Sequence, residues 1–314
     1  MVNRTYTYVA FGIGLLLIIA GALKLVPGVT GAGGALAFLG LALFGLSFVP
    51  RPAPAASPDR AEPADAAPMS FFERLAGVFF EPSRVFRSLR ANPHWLAALI
   101  LIALLQYAYG TAFVYRLTPE RIVNHSIDKV VESGWMQPEM AAEQKATQIA
   151  QLKDPVQTAG RAVTSVAWTF GVTAVAAAVA LLLVLLFGGR INFWQALSAL
   201  LHAAIPVVLI GQVLNLVLLY VKDPDDIHPT LGQGGLVTDN LGALFSPAEH
   251  PVLFAAASAV GVLTFYHVWL RATALRHAGE RVSSGTGWTV SIIYWVIGLL
   301  FAIVLSALFG NFMS

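Results

Sequence analysis

The densest set of side chains able to carry chemistry lies in an otherwise apolar run, residues 193–221: Gln195, Ser198, His202, Gln212 and Asn215. At 3.6 residues per turn, Gln195, Ser198, His202 and Gln212 share roughly a third of a helix circumference. Polar groups are costly in hydrocarbon, so a face of this kind has two readings. Either it lines a path for a small solute, with His202 as a titrating group, or it supplies hydrogen bonds between helices as packing glue. Gln106 and His267, on neighbouring apolar stretches, are the expected partners under the second reading.

Other chemistry is hard to place. There is no HExxH, no GxSxG and no P-loop; Gly232-Gln233-Gly234-Gly235 lacks the following Lys-Ser/Thr and reads as a flexible turn. Asp223, Asp225 and Asp226 lack the ligand pattern of a calcium loop and read as a solvated acidic turn. The chain has no Cys, which excludes thiolate metal sites, disulfides and a cysteine nucleophile, and its seven His residues are scattered. No Asp or Glu lies within an apolar stretch, so the carboxylate relay common in ion-coupled transporters has no carrier. Tyr266, His267, Trp269, Trp288, Tyr294 and Trp295, gathered near Arg271, make either an aromatic binding box or interface anchors and core packing. The expectation is a protein without catalytic residues, metal or cofactor. Its net charge of +2 is too small to suggest a nucleic-acid partner.

These residues sit in a chain of 314 residues that is 57% hydrophobic and 11% charged, with a mean hydropathy of +0.71. That is too apolar for a soluble domain of this size and implies a polytopic membrane protein. Seven stretches reach the roughly 20 residues that a helix needs to cross a bilayer core. None shows the alternation of a barrel strand, so the expected fold is all-α. The first two stretches, Tyr8 to Val26 and Ala32 to Val49, are separated by a short Gly-rich turn and read as a retained hairpin over 1–49. Ala10 with Gly14, and Gly33 with Ala37, are small pairs that let two backbones approach. Residues 50–68 mix Pro, Ala and a few charges with no large apolar residue, the composition of a solvated linker.

The main domain, 69–314, opens on an amphipathic segment over 69–93. Phe71, Leu75, Val78, Pro82, Val85 and Leu89 recur at helical steps, and Arg74, Arg84, Arg87 and Arg90 form a basic face directed to the membrane surface. Glu81-Pro82 divides it into two short helices. The five remaining stretches follow, interrupted by a polar loop over 117–160. There Thr118-Pro119-Glu120 and Gln137-Pro138-Glu139 mark two helix starts with Gly134 between them, and a helical hairpin is expected. Pro251 to Leu275 is expected to contain one span and Trp288 to Phe309 the last. With the N-terminus cytoplasmic and the C-terminus outside, eleven of the nineteen basic residues fall on the inner side, the sense of the positive-inside rule.

Phe79-Phe80-Glu81-Pro82-Ser83-Arg84-Val85-Phe86, followed by Pro93-His94-Trp95, resembles the opening of the membrane domain of the Yip family, the Ypt/Rab-interacting proteins, in its bacterial branch. Gly188-Gly189-Arg190-Ile191-Asn192-Phe193 leading to Pro206, Asp239-Asn240-Leu241-Gly242-Ala243-Leu244, and Phe265-Tyr266-His267-Val268-Trp269 are similar to later parts of that domain. The likeness covers about residues 71–312; the N-terminal hairpin lies outside it, and Thr264 stands where relatives often carry an acid. The resemblance implies a five-span membrane domain in a bacterial cell membrane, and no established reaction. The expected role is that of a scaffold or organiser of membrane assemblies. Its expected partners are anionic lipids of the bilayer and other membrane proteins or further copies of itself.

Overall fold

The computed structural model describes residues 4–23, 25–26, 28–50 and 69–309, so all but Pro50 of the expected linker lies outside the described residues. Helices dominate; one isolated antiparallel bridge, Asn240 to Gly261, is the strand-like pairing among them. Helices α1 (Arg4–Ala22) and α2 (Thr30–Leu46) form an antiparallel pair. Their backbones meet at the small residues: a Cβ at Gly14 would stand 2.3 Å from the Ala37 amide nitrogen, and one at Gly40 would stand 2.5 Å from that of Phe11.

Helix α3 (Phe71–Phe80) starts at Ser70, whose hydroxyl accepts from the Glu73 amide (3.2 Å) while the Glu73 carboxylate accepts from the Ser70 amide (2.6 Å). These bonds hold the Glu73 carboxyl below the usual carboxylate range. Pro82 then opens α4 (Pro82–Ala91), because its missing N–H costs nothing in a first turn. The expected division at Glu81-Pro82 is where the structure has it.

Helix α5 (Leu96–Leu117) leads into α6 (Pro119–Glu132) and α7 (Pro138–Lys153), the two arms of the polar loop. Lys145 donates to Asp128 (2.6 Å), Lys153 pairs with Glu120, and Val123, Ile127 and Ala141 fill the seam between the arms. Thr118 does not cap α6 as its position suggested. It sits at φ +67°, uncommon for a β-branched residue, with no hydrogen bond from its hydroxyl to the helix.

Helices α8 (Pro155–Leu186) and α9 (Phe193–Val221) form the middle of the domain. Every residue from Phe193 to Ala203 is buried, because α3, α4, α5, α8 and α12 (Val262–Ala278) all pack on α9. The main core is centred there and includes Val78, Val85, Phe86 and Leu89 from α3 and α4. A short α10 (Leu231–Gly234) lies in a second polar loop, residues 222–250, and α13 (Ser284–Phe309) packs on α12.

Among the described residues, four helices are long and apolar enough to cross a membrane: Leu96–Leu117, Pro155–Leu186, Phe193–Val221 and Ser284–Leu308. The N-terminal pair is apolar but shorter, at 19 and 17 residues. The sixth stretch departs from the expectation of one continuous helix. It is broken into α11 (Pro251–Ser258) and α12 at Ala259 to Gly261. Asp239 and Asn240 supply the competing partners: the Asp239 carbonyl accepts from Val262 N (3.2 Å), its carboxylate accepts from Leu263 N (2.8 Å), and Leu241 N donates to the Val260 carbonyl (3.0 Å).

Candidate functional site

The polar residues of α9 share that helix, and most of them are engaged in holding it in place. Gln195 accepts from Asn192 N through Oε1 (2.8 Å) and donates from Nε2 to the Arg90 carbonyl (2.8 Å), tying the end of α4 to the first turn of α9. Asn192 caps that turn by accepting from Trp194 N and donates to the Pro50 carbonyl (2.7 Å). His202 is 1% exposed, its Nδ1 2.8 Å from the Ser198 carbonyl. Asn215, near the opposite end, accepts from both Leu236 N (2.7 Å) and Val237 N (2.9 Å). Ser198 Oγ and Gln212 Oε1 are buried without a hydrogen-bond partner. The expected helix partners do not reach this face: Gln106 accepts from Thr169 Oγ1 on α8 (3.1 Å), and His267 lies 3.4 Å from Arg271 on its own helix. A cysteine placed at His202 is therefore expected to resist a small water-soluble thiol reagent in the folded chain; rapid labelling would show that water reaches the site.

The amphipathic lead-in divides more sharply. Phe72 and Phe80 project outward, 77% and 85% exposed. Arg84 is exposed and paired with Glu81 (3.1 Å), Arg90 is exposed and donates to the Glu280 carbonyl (3.4 Å), and Arg87 is half-buried. Arg74 departs from the expected surface face: it is 7% exposed, and its Nε is buried with no partner. The reason is helical geometry. Arg74 lies three residues after Phe71 and four before Val78, so it belongs to the side of α3 that packs inward.

The aromatic residues near Arg271 are tied into the packing. Tyr266 stacks on Trp269 with centroids 5.8 Å apart, the Arg271 guanidinium lies over the Tyr294 ring at 5.0 Å, Tyr294 donates to the Ala176 carbonyl of α8, and Trp295 donates to the Ala259 carbonyl (2.8 Å) at the helix break. In the second loop, Arg121 donates to the carbonyls of Pro224 (2.6 Å), Asp225 and Ile227 and to the Asp225 carboxylate, which makes the acidic turn a docking piece for α6. Tyr109 donates to the Gly232 carbonyl, fixing the Gly-rich turn to α5. Neither clamp was signalled by local pattern, because each joins residues more than a hundred positions apart. A cavity of about 370 Å³ lies beside this clamp, lined among others by Phe113, Ile122, Ser126, Gln148, Arg161 and Gln233. Among the described residues, no group of three or more His, Cys, Asp or Glu is placed to hold a metal.

The family model described as the Yip1 domain matches residues 76–306, from the middle of α3 to the last turn of α13. No curated protein and no solved structure matches the chain. The matched region is the set of helices that encloses α9, together with the lead-in that packs on it; it omits the N-terminal hairpin. On that match, which covers well over half of the sequence, the chain belongs to the Yip1 domain family of membrane-spanning proteins.

Proposed function

We propose that this Yip-type membrane protein acts as a scaffold that organises anionic lipids and membrane proteins, and catalyses no reaction of its own. The observation that carries the reading is the outward side of α3 and α4. Phe72 and Phe80 face outward with Arg84 and Arg90, while Val78, Val85, Phe86 and Leu89 anchor the same two helices to the core. An apolar and basic rim of this kind suits the headgroup boundary of an anionic leaflet, where each basic residue contributes about 1 kcal/mol. The orientation that fits has this end, with the start of α9 and the end of α12, on the cytoplasmic side.

The test uses the full chain in vesicles. With a donor dye on a single cysteine introduced at Ser83, energy transfer to labelled anionic lipid is expected to exceed transfer to labelled zwitterionic lipid. The excess should fall with added salt and drop about tenfold in an Arg84→Gln, Arg90→Gln variant. Equal transfer to both lipids at low salt would remove the reading. The transport alternative loses support from the geometry of α9, where Gln195, His202 and Asn215 are each occupied by a structural bond.

A further inference from the structure

Helix α8 is longer than a bilayer core requires. Its 32 residues run roughly 48 Å at a rise of about 1.5 Å per residue, against a hydrocarbon thickness of about 30 Å. From Ala162 to Leu186 it carries no charge, so Arg161 stands where the headgroup layer begins. That boundary is hollow. Two cavities of about 370 Å³ each share Gln148, Leu152 and Arg161 as lining residues, and so form one cleft where α5, α6 and α7 meet the start of α8. Among the described residues that line it, Arg161 is the one charged group; the other polar groups are hydroxyls and the amides of Gln144, Gln148, Gln151, Gln157 and Gln233. Arg161 Nη2 donates to the Leu152 carbonyl (3.2 Å) and to Thr158 Oγ1 (2.7 Å), which leaves Nε and Nη1 without a protein acceptor among the described residues. The nearest acid in the sequence, Asp154, is turned to its own helix and accepts from Val156 N (2.8 Å). The side chains of Gln144, Gln148, Gln151 and Gln157 likewise make no hydrogen bond among the described residues.

The same face of α8 continues into a groove. Steps of three and four residues join Gln157, Arg161, Thr164, Trp168, Gly171 and Val175 along one side of the helix. The first two line the cleft, and the last four line an open apolar groove of about 630 Å³ against Gly34, Ala35 and Phe38 of α2. Phe38 and Trp168 are exposed along it. A groove at hydrocarbon depth thus begins one helical turn from a cation without a counter-ion and a set of free amides. Those are the two halves of an anionic lipid: an acyl chain for the groove, and a phosphate with its polar headgroup for the guanidinium and the amides. We infer that this face of α8 holds one anionic phospholipid, its phosphate on Arg161 and one acyl chain between α2 and α8. The site goes beyond the proposed function: it lies at the end of the bundle opposite the Arg84 and Arg90 rim, and stands whether or not that rim selects lipid.

The experiment is lipid retention by the full-length chain in neutral detergent, read by native mass spectrometry with phosphatidylglycerol or phosphatidylcholine as probe, beside thermal unfolding. The wild-type chain is expected to hold one phosphatidylglycerol, and to hold it more tightly than phosphatidylcholine. Arg161→Gln should weaken phosphatidylglycerol about tenfold, the effect of losing charge-assisted hydrogen bonds, and Arg161→Lys should restore part of the loss. Because Arg161 also ties α8 to Leu152, a variant on the other wall gives a test free of that bond. A Cβ at Gly34 meets nothing within 4 Å, so Gly34→Leu enters the groove without a clash and should melt no lower than wild type in lipid-free detergent. It is expected to lower phosphatidylglycerol retention about tenfold by taking the place of the acyl chain. Equal retention of the two lipids by the wild type, or phosphatidylglycerol retention unchanged in Arg161→Gln or in Gly34→Leu, would overturn the inference. Stabilisation of wild type and Gly34→Leu alike by millimolar glycerol phosphate, with no lipid retained by either, would assign the cleft to a soluble anion and overturn the lipid. Arg84→Gln with Arg90→Gln, which tests the rim, should leave the tight lipid in place; its loss there would move that lipid to the rim and overturn the site.

Discussion

Replacing Trp194 with alanine is expected to cost about 3–5 kcal/mol of folding free energy, the range for deleting a buried aromatic side chain. Trp194 is 1% exposed and lies where three elements converge. Its ring packs near Trp95 at the start of α5 (6.1 Å) and against Phe193 (5.4 Å), and its Nε1 donates to the Val49 carbonyl at the end of α2 (3.3 Å). In a membrane the hydrophobic transfer term is weak, because lipid tails are as apolar as the core, and van der Waals packing carries the association of helices. The loss is expected to stay large here because the cavity cannot collapse: α9 is enclosed on all sides at this level, and its first turn is pinned by Asn192 and Gln195. Trp194→Phe should retain most of the packing and lose about 1 kcal/mol with the indole hydrogen bond. Unfolding of the two variants in mixed detergent micelles measures both values. Near-equal stability of Trp194→Ala and wild type would show that the surrounding helices close over the gap, and that the enclosure of α9 is not rigid.

What could be read from the sequence divides along the reach of the forces involved. Pro82 and Pro138 mark helix starts because a missing N–H is a local fact, and both stand at the first position of a helix. Gly14 and Gly33 mark the close approach of α1 and α2 because nothing larger fits there. The break at Ala259 to Gly261 was not legible in an unbroken apolar run. Its cause is Asp239 and Asn240, some twenty residues earlier, whose bonds to the chain are better satisfied by a bridge than by a continuous helix. The site is divided in the same way. Their place in one long apolar run collected Gln195, His202 and Asn215 on one helix, yet it had no means of showing that their partners are the Arg90 carbonyl, a carbonyl one turn back, and a distant loop. Arg74 was assigned to the surface by its charge. Its position in the Phe71, Leu75, Val78 series already placed it on the inward side, and the packing of α3 on α9 enforces that placement.

Asn215→Ala is expected to destabilise the chain by about 2–4 kcal/mol, because two inward-turned backbone amides, Leu236 N and Val237 N, lose one shared acceptor and neither is placed to recover a full shell of water. The effect should concentrate in the second polar loop. Its anchors on the helices include Arg121 on the carbonyls of Pro224, Asp225 and Ile227, Tyr109 on Gly232, Asn215 on Leu236 and Val237, and Asp239 on the amides of Val262 and Leu263. Gly235, at φ +143°, brings the chain against the Asn215 side chain, so the loop is shaped to this contact. With Asn215 removed, Arg121 and Tyr109 should hold residues 224–232 and Asp239 should stay on α12, while 235–238 loosens. A cysteine introduced at Val237 should then react with a water-soluble thiol reagent several-fold faster in the Asn215→Ala background, and Asn215→Asp, which keeps the accepting oxygen, should restore much of the protection. The same pair of variants separates the two readings of the α9 polar face. A packing residue gives a loosened loop and a lower melting point in step. A residue serving a solute path would leave loop protection and stability near wild type in Asn215→Ala, and that outcome would return the polar face of α9 to the transport reading.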